Sequence, residues 1–191
     1  MPKQNKIRIG IELFIILLVG FILIFNWNIP GFNSITGMPV GIAQVNVLQV
    51  AQITLVTNNV NFGNITAGGT DNTTDNNPVP FLIRNDGSVE VNFTIARDVN
   101  STPLFNGTGG GDNTSSFQFA ASVAGEGVPG NPACSTITWT NVPGTDPIVA
   151  VCEFNYVDTN DEVQIELLIN PPGDEPAGLK SENLVFTAYE S

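Results

Sequence analysis

Histidine is absent from the 191 residues, and with it the commonest general base and metal ligand. A Ser-His-Asp or Cys-His catalytic group cannot be assembled from such a chain. Basic residues are scarce: six Lys+Arg stand against 18 Asp+Glu, and charged residues make up 13% of the sequence. Lys3, Lys6 and Arg8 all fall near the start, so beyond residue 27 only Arg84, Arg97 and Lys180 face 17 acids, a balance of −14. A surface of that sign repels phosphate backbones and excludes nucleic acid as a partner. Cysteine is limited to Cys134 and Cys152, with no Cys-x-x-Cys, so redox and zinc chemistry lack their usual spacing. Gly-x-Ser-x-Gly and a glycine-rich phosphate loop ending in lysine are missing too. These gaps point away from an enzyme. Carboxylate pairs of the glycosidase kind are in stock, but the acids cluster in turns, where solvation explains them.

What is present is apolar: hydrophobic residues make up 42% of the chain, enough for a packed core. The most apolar stretch comes first. The 21 residues from Ile7 to Trp27 match the roughly 20 that a helix needs to cross a bilayer. Arg8 and Glu12 lie near one end, where an i,i+4 pair can reach the headgroups, and Trp27 lies at the other boundary. Basic residues precede the span, so the positive-inside rule places the N-terminus in the cytosol and the remainder outside. The reading is an uncleaved single-pass anchor in the cell membrane. A cleaved signal peptide is the first alternative, although Asn26-Trp-Asn-Ile-Pro-Gly-Phe32 is bulky where small residues are needed, and Gly41-Ile-Ala43 lies far downstream. A prepilin-type leader is the second: Arg8-Ile-Gly10 followed by Ile11-Glu12 and an apolar helix resembles the cut site of archaeal pilins and archaellins.

After a Gly/Pro linker at 28–39 the periodicity changes from helical to alternating. Val89, Val91, Phe93 and Ile95 interleave with Glu90, Asn92 and Thr94, and Val163, Ile165, Leu167 and Ile169 with Gln164 and Glu166. Further strands are expected at 45–56, 80–83, 117–123, 135–140, 148–156 and 184–189, separated by turn clusters such as Asn85-Asp86-Gly87 and Asn170-Pro-Pro-Gly173. The expectation is an all-β, antiparallel, immunoglobulin-like sandwich of seven to eight strands over residues 40–191, preceded by one N-terminal transmembrane helix at 1–27. A closed barrel is the alternative. The polar stretches 68–77 and 106–114 read as surface loops.

Cys134 and Cys152 are centred on residue 143, inside the turn expected at 141–145. A hairpin of strands 135–140 and 148–156 in that register sets them opposite each other, within reach of a disulfide. Outside the cytosol such a bond would persist. Asn-x-Ser/Thr occurs at Asn64, Asn72, Asn92, Asn100, Asn106 and Asn113, where 23 Asn and 26 Ser+Thr give about three by chance. These are candidate glycan acceptors, and an Asn/Thr-rich stretch explains the triplets equally well. Asp158, Asn160, Asp161 and Glu162 are candidate ligands for calcium, as are Asp71, Asp75 and Asn76, since hard cations take converging loop oxygens. Neither set has the spacing of an EF-hand, and a solvated turn is the plainer account of both.

Val60-Asn-Phe-Gly-Asn-Ile-Thr-Ala-Gly-Gly69 and Phe81-Leu-Ile-Arg-Asn-Asp-Gly-Ser-Val-Glu-Val-Asn-Phe-Thr-Ile95 resemble the opening of prokaryotic surface β-sandwiches, including the TasA/camelysin-like fibre proteins and related archaeal cell-surface proteins. The stretch Pro176-Ala-Gly-Leu-Lys-Ser-Glu-Asn-Leu-Val-Phe-Thr-Ala-Tyr189 resembles their terminal strand. The resemblance implies an extracellular β-sandwich; in some relatives an N-terminal strand inserts into the next subunit. The expected function is a non-enzymatic, membrane-anchored cell-surface protein with a structural or adhesive ectodomain. Its partners are the membrane and other surface proteins or copies of itself. A filament subunit, by donor strand or pilin-like assembly, and a calcium- or carbohydrate-binding accessory module are the alternatives.

Overall fold

The computed structural model describes residues 46, 48–123 and 130–191. The transmembrane helix expected at 1–27 and the linker at 28–39 lie outside the described residues, as do residues 45 and 47 of the first expected strand. Among the described residues no helix is long and apolar enough to cross a membrane. Val47–Ser191 forms one compact unit.

Alternating sequence becomes alternating burial. Nine strands follow in order: β1 (Ile53–Thr57), β2 (Asp71–Asn72), β3 (Phe81–Asn85), β4 (Val91–Arg97), β5 (Phe117–Val123), β6 (Thr140–Asn141), β7 (Ile148–Phe154), β8 (Glu162–Ile169) and β9 (Leu184–Glu190). All pairings are antiparallel. One sheet runs β1-β3-β8-β5-β6, with β2 pairing the end of β8 beyond β3; the other runs β7-β4-β9. In β4, Val91, Phe93 and Ile95 are fully buried while Asn92 and Thr94 are half-buried. In β8, Val163, Ile165, Leu167 and Ile169 join them in a single cluster fed by both sheets. Phe93 sits at its centre, edge-on to Phe154 of β7 and Phe186 of β9 with ring centroids 5.8 and 6.3 Å away. Phe81 of β3 crosses from the opposite sheet to Phe186 at 5.6 Å. Each such ring contributes about 1.5–3 kcal/mol by leaving water, so this apolar seam is what holds the sheets together.

The strand expected at 135–140 does not form, apart from Thr140, which begins β6. Asn131 ends the approach instead: its carbonyl accepts from the Cys134 and Ser135 amides at 3.2 and 3.0 Å, and its side chain accepts from Ala133 N at 3.0 Å. The chain then crosses from sheet to sheet. Ala121 N of β5 donates to Thr136 O at 2.7 Å, and Thr136 N donates to Ala150 O of β7 at 2.9 Å. One residue divided between two sheets cannot propagate a ladder. The first strand is also shorter than expected at 45–56, because Val50 pairs with Ser88 rather than with a strand: Ser88 N donates to Val50 O at 2.9 Å and Ser88 Oγ accepts from Val50 N at 3.0 Å.

Asn85, 1% exposed, explains that departure. Its Nδ2 donates to Val89 O at 3.0 Å and to Phe154 O at 2.9 Å, linking β3 to β7 of the other sheet. Its Oδ1 accepts from Gly87 N at 3.0 Å, closing the Asn85-Asp86-Gly87 turn, and its own amide donates to Asp161 O at 2.8 Å. The turn presses so close to Val50 that a Cβ on Gly87 would stand 2.3 Å from the Val50 carbonyl oxygen. Val89 is drawn out of β4 because its carbonyl serves this side chain. Asn85→Ala would strand the buried Phe154 carbonyl, the half-buried Val89 carbonyl and the Gly87 amide, and is expected to cost roughly 2–4 kcal/mol. Asn85→Asp keeps the acceptor for Gly87 but loses both donors, and is expected to cost at least as much; urea unfolding midpoints of the three proteins check both values.

Candidate functional site

Cys134 lies exposed in the turn after Asn131, and Cys152 lies buried on β7. Their sulfurs are at bonding distance with Cα atoms 6.0 Å apart, within the usual range for a disulfide. The bond fastens the crossing segment to the edge of β7. Asn131 N donates to Cys152 O at 2.8 Å, Cys152 N donates to Ser135 Oγ at 3.1 Å, and Thr136 Oγ1 donates to Val149 O at 2.7 Å. The register centred on Pro143 is kept, since Thr136 faces Ala150 through its backbone, although no hairpin carries it.

The six Asn-x-Ser/Thr positions fall into two groups. Asn64, Asn100, Asn106 and Asn113 are exposed, whereas Asn72 and Asn92 are half-buried. Asn92 Oδ1 on β4 accepts from Glu153 N at 2.9 Å, and Asn72 Oδ1 on β2 accepts from Thr74 N at 3.0 Å. These two present their amide oxygens to the fold, whereas at Asn100 the amide nitrogen itself, the atom a glycan would take, donates to Asp98 Oδ1 at 3.1 Å.

Asp158 and Asn160 are exposed in the turn from β7 to β8, followed by half-buried Asp161 and Glu162. Asp161 and Glu162 lie near Arg84, whose guanidinium they help to keep charged after its main partner Asp86, 2.6 Å away. Glu162 is opposite Arg84 in the β3–β8 register. These carboxylates thus already have a cation beside them. Asp71 begins β2, and Asp75 Oδ1 accepts from Asn77 N at 3.0 Å, so these acids serve their own turn. Among the described residues no group of three or more His, Cys, Asp or Glu converges to hold a metal ion.

The principal polar constellation lies elsewhere, between the β4–β5 loop and the segment before β9. Glu175 Oε2 accepts from Asn106 N at 2.8 Å and from Gly107 N at 2.7 Å, and its Oε1 lies 2.5 Å from Lys180 Nζ. Asp174 accepts from Thr108 N at 2.8 Å and from Thr108 Oγ1 at 2.6 Å. Glu182 Oε2 accepts from Leu104 N at 2.7 Å. At the far end of the loop, Arg97 Nε and Nη2 grip the two oxygens of Asp112 at 2.8 Å each. Successive amides at 106–108 thus point into carboxylates. A Cβ on Gly107 would stand 2.6 Å from Asp174 Oδ1 and 2.8 Å from Pro172 Cβ, so a side chain there would push the Asp174 carboxylate or the Pro172 ring aside.

This environment separates the three acids. Hydrogen bonds from the Thr108 hydroxyl and amide hold Asp174 below its ordinary value of 3.8. Burial pushes Glu175 upward, but Lys180 and the Gly107 and Asn106 amides outweigh it and leave it below 4.5. For Glu182 burial dominates: it is pushed up to about 7, with the Leu104 amide opposing, Asp112 adding to the rise and Arg97 opposing it.

A second buried acid, Glu166 on β8, accepts from the hydroxyl of fully buried Thr73 and from Ser122 Oγ, the latter at 2.8 Å. Thr73 Oγ1 accepts in turn from Leu167 N at 2.9 Å. The stretch 68–77 is therefore a surface loop with one side chain driven inward. Every acid in these networks holds a hydroxyl, an amide or a cation, an arrangement that orders loops. Compared with known proteins, the chain matches no family model, no curated protein and no solved structure.

Two outcomes follow. Reducing the Cys134–Cys152 bond releases a loop of separation 18 and is expected to lower stability by about 3 kcal/mol, read as a fall in Tm with reductant that Cys152→Ala reproduces. The proton on Glu182 stabilises the fold fully below 4.5, and that contribution is lost as pH rises toward 7. Glu182→Gln is expected to raise Tm at about pH 8 and leave it nearly unchanged at about pH 5, as scanning calorimetry at both values would record.

Proposed function

We propose that the chain is a non-enzymatic, membrane-anchored cell-surface protein whose β domain makes structural or adhesive contacts outside the cell. The observation that carries this reading is the cysteine pair: two sulfurs at bonding distance in an all-β domain suit an oxidising compartment. The apolar run from Ile7 to Trp27, with Lys3 and Lys6 before it and Arg8 at its cytosolic end, supplies a means of attachment. The acid excess supports the same assignment, because a strongly anionic surface stays soluble and avoids anionic membranes. In this reading the two facing sheets are an immunoglobulin-like sandwich of the sort found in the TasA/camelysin-like surface proteins. Exposed Asn64, Asn106 and Asn113 are the acceptors best placed for glycans, ahead of exposed Asn100, whose amide nitrogen is held by Asp98.

Carbonate extraction of native membranes, with protease treatment of intact cells, tests the proposal. The protein is expected to stay in the pellet, start at Met1 or Pro2, and lose its β domain to external protease. Release into the carbonate supernatant, or digestion only after lysis, would refute it. A mature start at Ile11 would replace the anchor with prepilin-type processing.

A further inference from the structure

We infer that β9 is a self-association edge at which a second copy of this chain adds its own β9, in antiparallel register about Thr187. A sheet edge presents unpaired amides and carbonyls that natural proteins blunt by shortness, bulges, covering segments, proline or lysine. Three of the edges here are blunted in these ways. β6 has two residues, and β1 has five with a register shift between Leu55 and Thr57. β7 is bulged against β4 and covered by Asn131, Ser135 and Thr136. Among the described residues β9 has none of these devices. It runs seven residues in unbroken register with β4, and its sequence Leu-Val-Phe-Thr-Ala-Tyr-Glu holds no proline, lysine or arginine. Among the described residues no strand pairs with its other side.

The side chains match a second copy. Antiparallel pairing about Thr187 sets Val185 against Tyr189, Thr187 against itself and Phe186 against Ala188. The first two are favourable cross-strand combinations, and the one acid, Glu190, faces Leu184 instead of another carboxylate. Val185 and Tyr189 are 43% and 44% exposed, so the pairing covers apolar surface. In a domain region with a balance of −14, an edge that sets no like charges against each other is where two copies can approach. A two-fold axis through Thr187 makes the contact self-complementary and closed, and joins two three-stranded sheets into one.

The test uses the full chain in detergent. Thr187→Cys is expected to give a reductant-sensitive dimer on mild oxidation, and Thr102→Cys, exposed on the β4–β5 loop, to give none. Thr187→Lys sets two cations opposite each other and is expected to weaken association by about tenfold or more in light scattering, with circular dichroism unchanged. Equal crosslinking of the two cysteine variants, a Thr187→Lys protein that remains as dimeric as the parent, or a parent that stays monomeric at every concentration would overturn the inference. Crosslinking reads association and carbonate extraction reads attachment, so the surface assignment and this contact can fail separately.

Discussion

The side chain of Asn85 fastens one end of the domain, and much of the local geometry follows from it. Its two donors reach Val89 O, just before β4, and Phe154 O of β7, both on the sheet facing its own strand, and its acceptor closes the turn through Gly87. Because that turn is tight, the Val50 carbonyl can pack against Gly87, and the chain enters β1 along Ser88. Because the Asn85 amide takes the Asp161 carbonyl, the turn leading into β8 is tied to the same point. An amide buried in an apolar core is costly unless every polar atom is met, and here each is. The aromatic seam supplies most of the driving force, while Asn85 fixes which turn meets which.

Charge is used in an unusual economy. Each of the three cations beyond residue 27 has an acidic partner: Arg84 with Asp86, Arg97 with Asp112 and Lys180 with Glu175. Lacking further cations, the chain turns its acids toward backbone amides and hydroxyls. Asp174, Glu175 and Glu182 hold the β4–β5 loop in this way, and Glu166 holds Thr73. Such bonds are charge-assisted and strong, and they make loop order depend on protonation in opposite directions. Asp174 and Glu175 favour the fold above their ordinary values, whereas Glu182 favours it most when protonated.

Strand content was legible wherever burial has a period of two. β4, β5, β8 and β9 stand within a residue or two of their expected bounds because alternating apolar residues admit one register against a buried face. The cysteine pairing was legible from its centre at Pro143. What the pattern could not show depends on partners distant in sequence. The run 135–140 alternates like a strand, yet Thr136 is divided between Ala121 and Ala150. Thr73 reads as one more polar loop residue, and its burial comes from Glu166, 93 residues away. The carboxylates on the loop amides at 104–108 leave no mark in composition, apart from a glycine at 107 whose need for closeness is visible only once Asp174 is in place.

The central claim is that the β domain lies outside the cytosol, and the redox state of its two cysteines in native cells tests it most directly. Cells are harvested into a thiol-alkylating reagent, and the intact mass of the protein is compared before and after reduction. The expected result is no adduct before reduction and two after it, one each on Cys134 and Cys152. Two adducts before reduction would place the domain in a reducing compartment and contradict the account.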